Sequence, residues 1–171
     1  MVRFNVIIVF VVTSLSLVVC AEPEGNCTSP GSSQFDFWIG KWQVSWDGQD
    51  GVEMRGTNTV TKTLGGCVVH ESFKDPNTGF EGMSYSVFDT TRNKWLQTWV
   101  DNSGSYLDFI GEFNDETMTL LRVARRGGKE FHQRMRWYNI RKDAFDWNWE
   151  RSDDDGATWK LLWHIRYTKV E

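Results

Sequence analysis

The chain has 171 residues, 40% hydrophobic and 25% charged, with 10 Trp against 3 Pro and 3 Cys. That length can bury a core without help from a metal, and the apolar fraction excludes a disordered chain. A formal net charge of −4 lacks the basic excess of a nucleic-acid binder, so no nucleic-acid partner is expected.

Met1 to Ala21 carries Arg3, an uncharged stretch from Val6 to Val19, and then Val19-Cys20-Ala21 ahead of the first acid, Glu22. This is the layout of a secretory signal peptide, with cleavage expected after Ala21. A membrane anchor is the alternative, but the apolar run contains Thr13, Ser14 and Ser16 and falls short of the roughly 20 residues needed to span a bilayer. A lipoprotein reading at Cys20 lacks the small residue it needs at Val19. The expected organisation is therefore a signal at 1–21, a leader at 22–34 and one domain at 35–171, with no membrane span. The product is expected to be secreted, extracellular or periplasmic.

Cys27 and Cys67 then remain in a chain bound for an oxidising compartment, and a disulfide between them is the natural inference. Loop entropy would make it worth about 3 to 4 kcal/mol. Asn26-Cys27-Thr28 is formally a glycosylation acceptor at Asn26, in competition with the disulfide next to it.

The segment Phe35-Asp36-Phe37-Trp38-Ile39 allows one helical turn, and no later stretch sustains helical apolar spacing. Short runs of alternation separated by Gly, Asn, Asp and Lys follow instead, a β pattern. Trp42-Val44-Trp46 alternates before a turn at 47–51. Val52 to Leu64 is a long polar strand ended by Gly65-Gly66. Val69-Glu71-Phe73 share a face, and Asp75-Pro76-Asn77-Thr78-Gly79 turns the chain into Phe80 to Phe88. Trp95-Gln97-Trp99 alternates next, with Asp101 opening a turn into Tyr106 to Phe113. Met118 to Arg125 and Phe131 to Ile140 flank Arg126-Gly127-Gly128-Lys129. Phe145-Trp147-Trp149 and Trp159 to Lys169 form the last pair across the Ser152 to Thr158 turn. About ten strands with short connections predict sequential antiparallel pairing. Closure into an up-and-down β-barrel, of about 8–10 strands, removes the exposed edges. A two-sheet sandwich is the competing architecture.

Phe35-Asp36-Phe37-Trp38-Ile39-Gly40-Lys41-Trp42 is the most specific local signal: an apolar turn entering the first strand through Gly-x-Trp, suited to plugging one end of a barrel. In this the chain resembles the calycin superfamily, whose lipocalin members open with a comparable Gly-x-Trp. It is more similar to calycin-like secreted and bacterial proteins of unknown function that begin F-D-F-W-[IL]-G-x-W, and that also look like this chain at Gly66-Cys67 with Glu71, at Trp95 to Asp101, and at Trp149-Glu150. The resemblance covers Cys27 to the end and implies the fold, with no common activity. The Arg-rich last-strand pattern and the carboxy-terminal helix of lipocalins are not recognisable. Ser152 to Trp159 also fits S-x-D-x-G-x-T-W, the Asp-box hairpin of sialidase-type propellers. One copy reads as a turn motif, with the Asp153 to Asp155 cluster a lesser calcium reading.

Glu71 and Gln97 are polar residues on faces that carry large apolar side chains, so they must find partners in a core or orient a ligand. Glu71, Phe73, Trp95, Gln97, Trp99, Trp149 and Trp163 are the candidate ligand-lining residues. Arg134 and Arg136 lie on a strand whose inward face is ambiguous, although Phe131-Gln133-Met135-Trp137 looks apolar. His70, His132 and His164 have no metal spacing and read as surface residues, so no metal site is expected. No cofactor is expected either. The haem-binding nitrobindins are calycin-like barrels with an axial histidine near the carboxy terminus, which makes haem through His164 a minor alternative.

The expected function is binding of a small hydrophobic or aromatic molecule in a Trp-lined cavity of a monomeric barrel. An isomerase, cyclase or hydrolase of a small hydrophobic substrate is the alternative, with Glu71 or Asp101 as catalytic base. A structural or partner-binding protein with a filled core is the third reading.

Overall fold

The computed structural model describes residues 27–48 and 51–170. The expected signal peptide at 1–21, the first part of the leader and the Asn26 acceptor lie outside the described residues. Two 3₁₀ turns, Pro30–Ser33 and Asp36–Trp38, precede ten strands: β1 (Gly40–Asp47), β2 (Glu53–Thr63), β3 (Val68–Asp75), β4 (Phe80–Asp89), β5 (Lys94–Asp101), β6 (Tyr106–Asn114), β7 (Thr117–Arg126), β8 (Lys129–Tyr138), β9 (Ala144–Ser152) and β10 (Lys160–Lys169). Every strand pairs antiparallel with its neighbours in sequence, and β1 closes on β10 through Trp42 opposite Lys169 and Val44 opposite Tyr167. The architecture is therefore an all-β, closed up-and-down barrel.

Alternation sets the inner face of each strand. On β1, Trp42, Val44 and Trp46 are buried, while Lys41, Gln43 and Asp47 face water. On β8 the ambiguity resolves with Met135 and Trp137 buried inside. Arg134 therefore lies outside, paired there with Glu150 and lying 3.9 Å under the Trp159 ring. The alternation that Trp159, Leu161, Trp163, Ile165 and Tyr167 suggest is interrupted by a β-bulge between Leu161 and Trp163. The extra residue resets the face, so Leu161 is exposed. Trp159 stacks outside the barrel.

One end of the barrel is sealed by the two 3₁₀ turns. Phe35 packs against Trp38, Trp95 and Trp137 at centroid distances of 5.2, 4.7 and 5.3 Å. Phe37 reaches Phe113 and Phe145, and Trp95, Phe113, Trp137 and Phe145 all stand at the same end of the barrel, at the starts of β5 and β9 and the ends of β6 and β8. The Trp42 indole N–H donates to the Trp38 carbonyl at 2.8 Å, tying the plug to β1. A Cβ at Gly31 would lie 2.0 Å from the Phe88 ring, so a larger residue there displaces that ring. The Cys27–Cys67 disulfide fastens the segment before the plug to the connection leading into β3.

Phe35 is completely buried and fills the centre of this seal. Phe35→Ala is expected to destabilise the fold by about 3 to 5 kcal/mol, the range for truncating a fully packed aromatic ring. Equilibrium denaturation of the variant against wild type measures it.

Candidate functional site

Beyond the plug, the lumen opens into a cavity of about 220 Å³. Trp147, Trp149, Trp163 and Ile165 from β9 and β10 form one wall. Phe73, Phe80 and Trp99 from the ends of β3, β4 and β5 stand nearer the mouth, and Leu107, Phe109, Met135 and Trp137 complete the apolar lining. The rings meet edge to face, Trp163 lying 5.7 Å from Phe73 and 5.9 Å from Trp147. Edge contacts of this kind hold indoles at fixed angles and leave their faces free.

Three polar side chains line this cavity: Glu71, Asp101 and Tyr167. Glu71 accepts hydrogen bonds from Asn58 Nδ2 and from Ser84 Oγ, both at 2.6 Å, and Asn58 Nδ2 also donates to the Tyr167 hydroxyl at 3.0 Å. Register explains the cluster, because Glu71 sits directly opposite Ser84 across β3 and β4. Among the described residues no cation pairs with this carboxyl. Burial raises its pKa from the usual 4.5 to about 7, against the opposing pull of Ser84 and Asn58. Burial, and then the neighbouring Glu71 charge, push the Tyr167 phenol well above 10. The cavity floor is thus a hydrogen-bonded patch holding a proton that is lost near neutrality.

Asp101 is a different kind of carboxyl. Burial raises its pKa, but hydrogen bonds from Ser103, the Trp99 indole and Ser105 outweigh this and hold it at about 2. It organises the β5–β6 turn and fixes Trp99, whose N–H lies 3.0 Å from Oδ2. A carboxylate so strongly stabilised is a poor proton acceptor, so its geometry suits a positioning role better than that of the expected base. Gly82 completes this corner, because a Cβ there would lie 2.0 Å from the Trp99 ring.

Of the residues expected to line a pocket, Glu71, Phe73, Trp99, Trp149 and Trp163 come together around the cavity. Trp95 and Gln97 do not. Both face inward, but they sit too close to the sealed end. Trp95 is covered by Phe35 and Phe88, with its N–H on Gln34, and Gln97 Nε2 is bonded to Ser86 at 2.9 Å. They are core.

His164 points away from the lumen, its Nδ1 2.9 Å from Asn148 Oδ1 and its Nε2 3.5 Å from Asp146. It is not among the cavity residues, so the cavity offers haem no axial ligand through it. Among the described residues no group of three or more His, Cys, Asp or Glu side chains is placed to hold a metal ion. Asp154 is instead occupied by the turn, accepting hydrogen bonds from Ser152 and Thr158. No helix among the described residues is long and apolar enough to cross a membrane.

Sequence reasoning missed Asn58 and Tyr167, which complete the floor. Tyr167 was within reach, since it shares its face with Trp163 and Ile165. Asn58 stands inside between buried Gly56 and Val60, in a strand too polar for its inner face to be read. No protein-family model matches the chain, and none of the curated proteins matches it.

The Glu71 proton makes stability pH-dependent. Below pH 4.5 the carboxyl is neutral in both the folded and unfolded chains and has no effect. Between 4.5 and about 7 the unfolded chain ionises while the folded one keeps its proton, so stability falls as pH rises. The loss is complete above the folded value. Wild type is expected to lose roughly 2 to 3 kcal/mol relative to Glu71→Gln between pH 5 and pH 8, read from urea denaturation of both proteins at each pH.

Proposed function

We propose that this chain is a secreted, calycin-type barrel that binds a small hydrophobic or aromatic molecule through its open end, as a monomer and without covalent chemistry. The observation that carries the proposal is the unfilled, indole-walled cavity above a sealed floor. A protein whose aromatics served packing alone would close such a space, because each void forfeits contact energy. An engineered apolar cavity of about 150 Å³ takes up benzene, so one of this size suits a molecule of one or two rings. The disulfide supports an oxidising compartment.

Catalysis on the same barrel is the second reading, and one observation favours it. Glu71 lines the cavity with its pKa near 7, where a general base works best. Loss of turnover in a folded Glu71→Gln protein would be its signature.

The binding proposal is tested by titrating the protein with 2-naphthamide, an uncharged two-ring probe, while recording tryptophan fluorescence. Saturable quenching with a micromolar Kd is expected, weakened at least tenfold by Leu107→Trp, which fills the cavity from its wall. Quenching that is linear in probe and indifferent to Leu107→Trp overturns it.

A further inference from the structure

The inner face of β7 carries a cation close to the cavity wall. Arg122 on β7 follows Met118 and Leu120 on the inner face, and its guanidinium lies 5.7 Å from the centroid of the Phe109 ring, itself part of the cavity wall. Its Nη1 donates to Gln133 Oε1 at 3.0 Å, while its Nε is buried without any acceptor. No carboxylate among the described residues pairs with it. Arg122 is half-buried, and a buried N–H on a charged group is costly while it has no acceptor.

Register puts Arg122 in a row. It faces Gln133 on β8, which faces Arg151 on β9, and all three share the inner faces of their strands. The next inner row toward the plug is Leu120, Met135 and Trp149, two residues further along each strand, or about 7 Å away. Met135 and Trp149 line the cavity. Arg151 is drawn aside by Asp153, with its guanidinium 3.8 Å from the Phe131 ring, which leaves Arg122 as the free cation of the row.

The two carboxyls of the cavity are both occupied, Glu71 by Asn58 and Ser84 and Asp101 by its turn and Trp99. Neither offers a free oxygen pair to a cationic ligand, whereas Arg122 keeps an N–H without an acceptor, at Nε. We propose that Arg122, with Gln133 beside it, holds the carboxylate of an amphiphilic organic acid whose ring system or hydrocarbon body fills the cavity toward Glu71. This deepens the binding proposal and rests on it. A guanidinium suits the role because it meets a carboxylate with two parallel N–H bonds.

The test compares 2-naphthoate with 2-naphthamide, which have the same ring system and differ in charge, at pH 7.5 and low salt, by calorimetry and fluorescence. Wild type is expected to prefer the acid at least tenfold. Arg122→Met should abolish that preference while leaving amide affinity within twofold, and Arg122→Lys should keep part of it. Near-UV circular dichroism shows whether each variant is folded, and the wild-type comparison stands if Arg122→Met is not. Equal binding of acid and amide by wild type overturns the assignment while leaving the cavity proposal intact, as does a preference that survives Arg122→Met. Binding of neither probe overturns both.

Discussion

Closure of β1 on β10 sets the conditions for everything inside. Ten strands that end on each other have no free edge to protect, but they enclose more space than the side chains of eight strands would fill. Aliphatic residues alone do not reach far enough across such a bore, whereas indoles do. The buried set accordingly includes Trp38, Trp42, Trp46, Trp95 and Trp137. Closure also leaves two ends to manage. The plug seals one with Phe35 and Trp38, held by a hydrogen bond, edge-to-face contacts and a disulfide, and the cavity lies toward the other.

The lumen divides along the strand order. From β2 to β5 the inner face carries Asn58, Glu71, Ser84, Ser86 and Gln97, all buried. The wall across from them, on β8 to β10, carries Trp137, Trp147, Trp149, Trp163 and Ile165. Much of the polar side is bonded laterally, strand to strand, as in Ser84 to Glu71 and Gln97 to Ser86, although Asn58 Oδ1 is buried without a partner. One bond crosses to the β10 side, from Asn58 to the Tyr167 hydroxyl, and the cavity lies between the two walls. A fully apolar lumen would bind more tightly and less selectively. Satisfied polar groups on one wall restrict which way round an occupant can lie.

Alternation made the faces legible, because a period of two is imposed by the pleat itself and each run of Trp-x-Trp fixes its inner side. It does not report height along the barrel axis. That is why Trp95 and Gln97 read like Trp99: they share its strand and face, yet register places Trp95 opposite Gly111, near the sealed end, and Trp99 opposite Leu107, toward the mouth. The bulge before Trp163 was equally invisible, since an inserted residue leaves no mark on composition. Asn58 was hidden by its polar strand. Arg122, by contrast, carried a signal. Met118, Leu120, Arg122 and Ala124 alternate with Thr119, Leu121 and Val123, and an arginine on the face of a buried methionine and leucine could have been flagged from parity alone.

The charges inside the barrel are ordered by depth. Glu71 lies in the middle of β3 against the floor, where an ionised carboxyl without a cation is expensive, so it keeps its proton up to about pH 7 while accepting from Asn58 and Ser84. Arginine has no such escape, because its guanidinium cannot shed its proton in a protein. It stands nearer the mouth, where its head lies 5.7 Å from the centroid of the Phe109 ring. Exchanging the two positions would leave a permanent cation at the floor and an easily ionised acid in water, and the cavity would lose both its apolar depth and its charged rim. In the proposed complex an occupant would therefore have a direction, with its apolar body toward Glu71 and its charge toward the fixed cation.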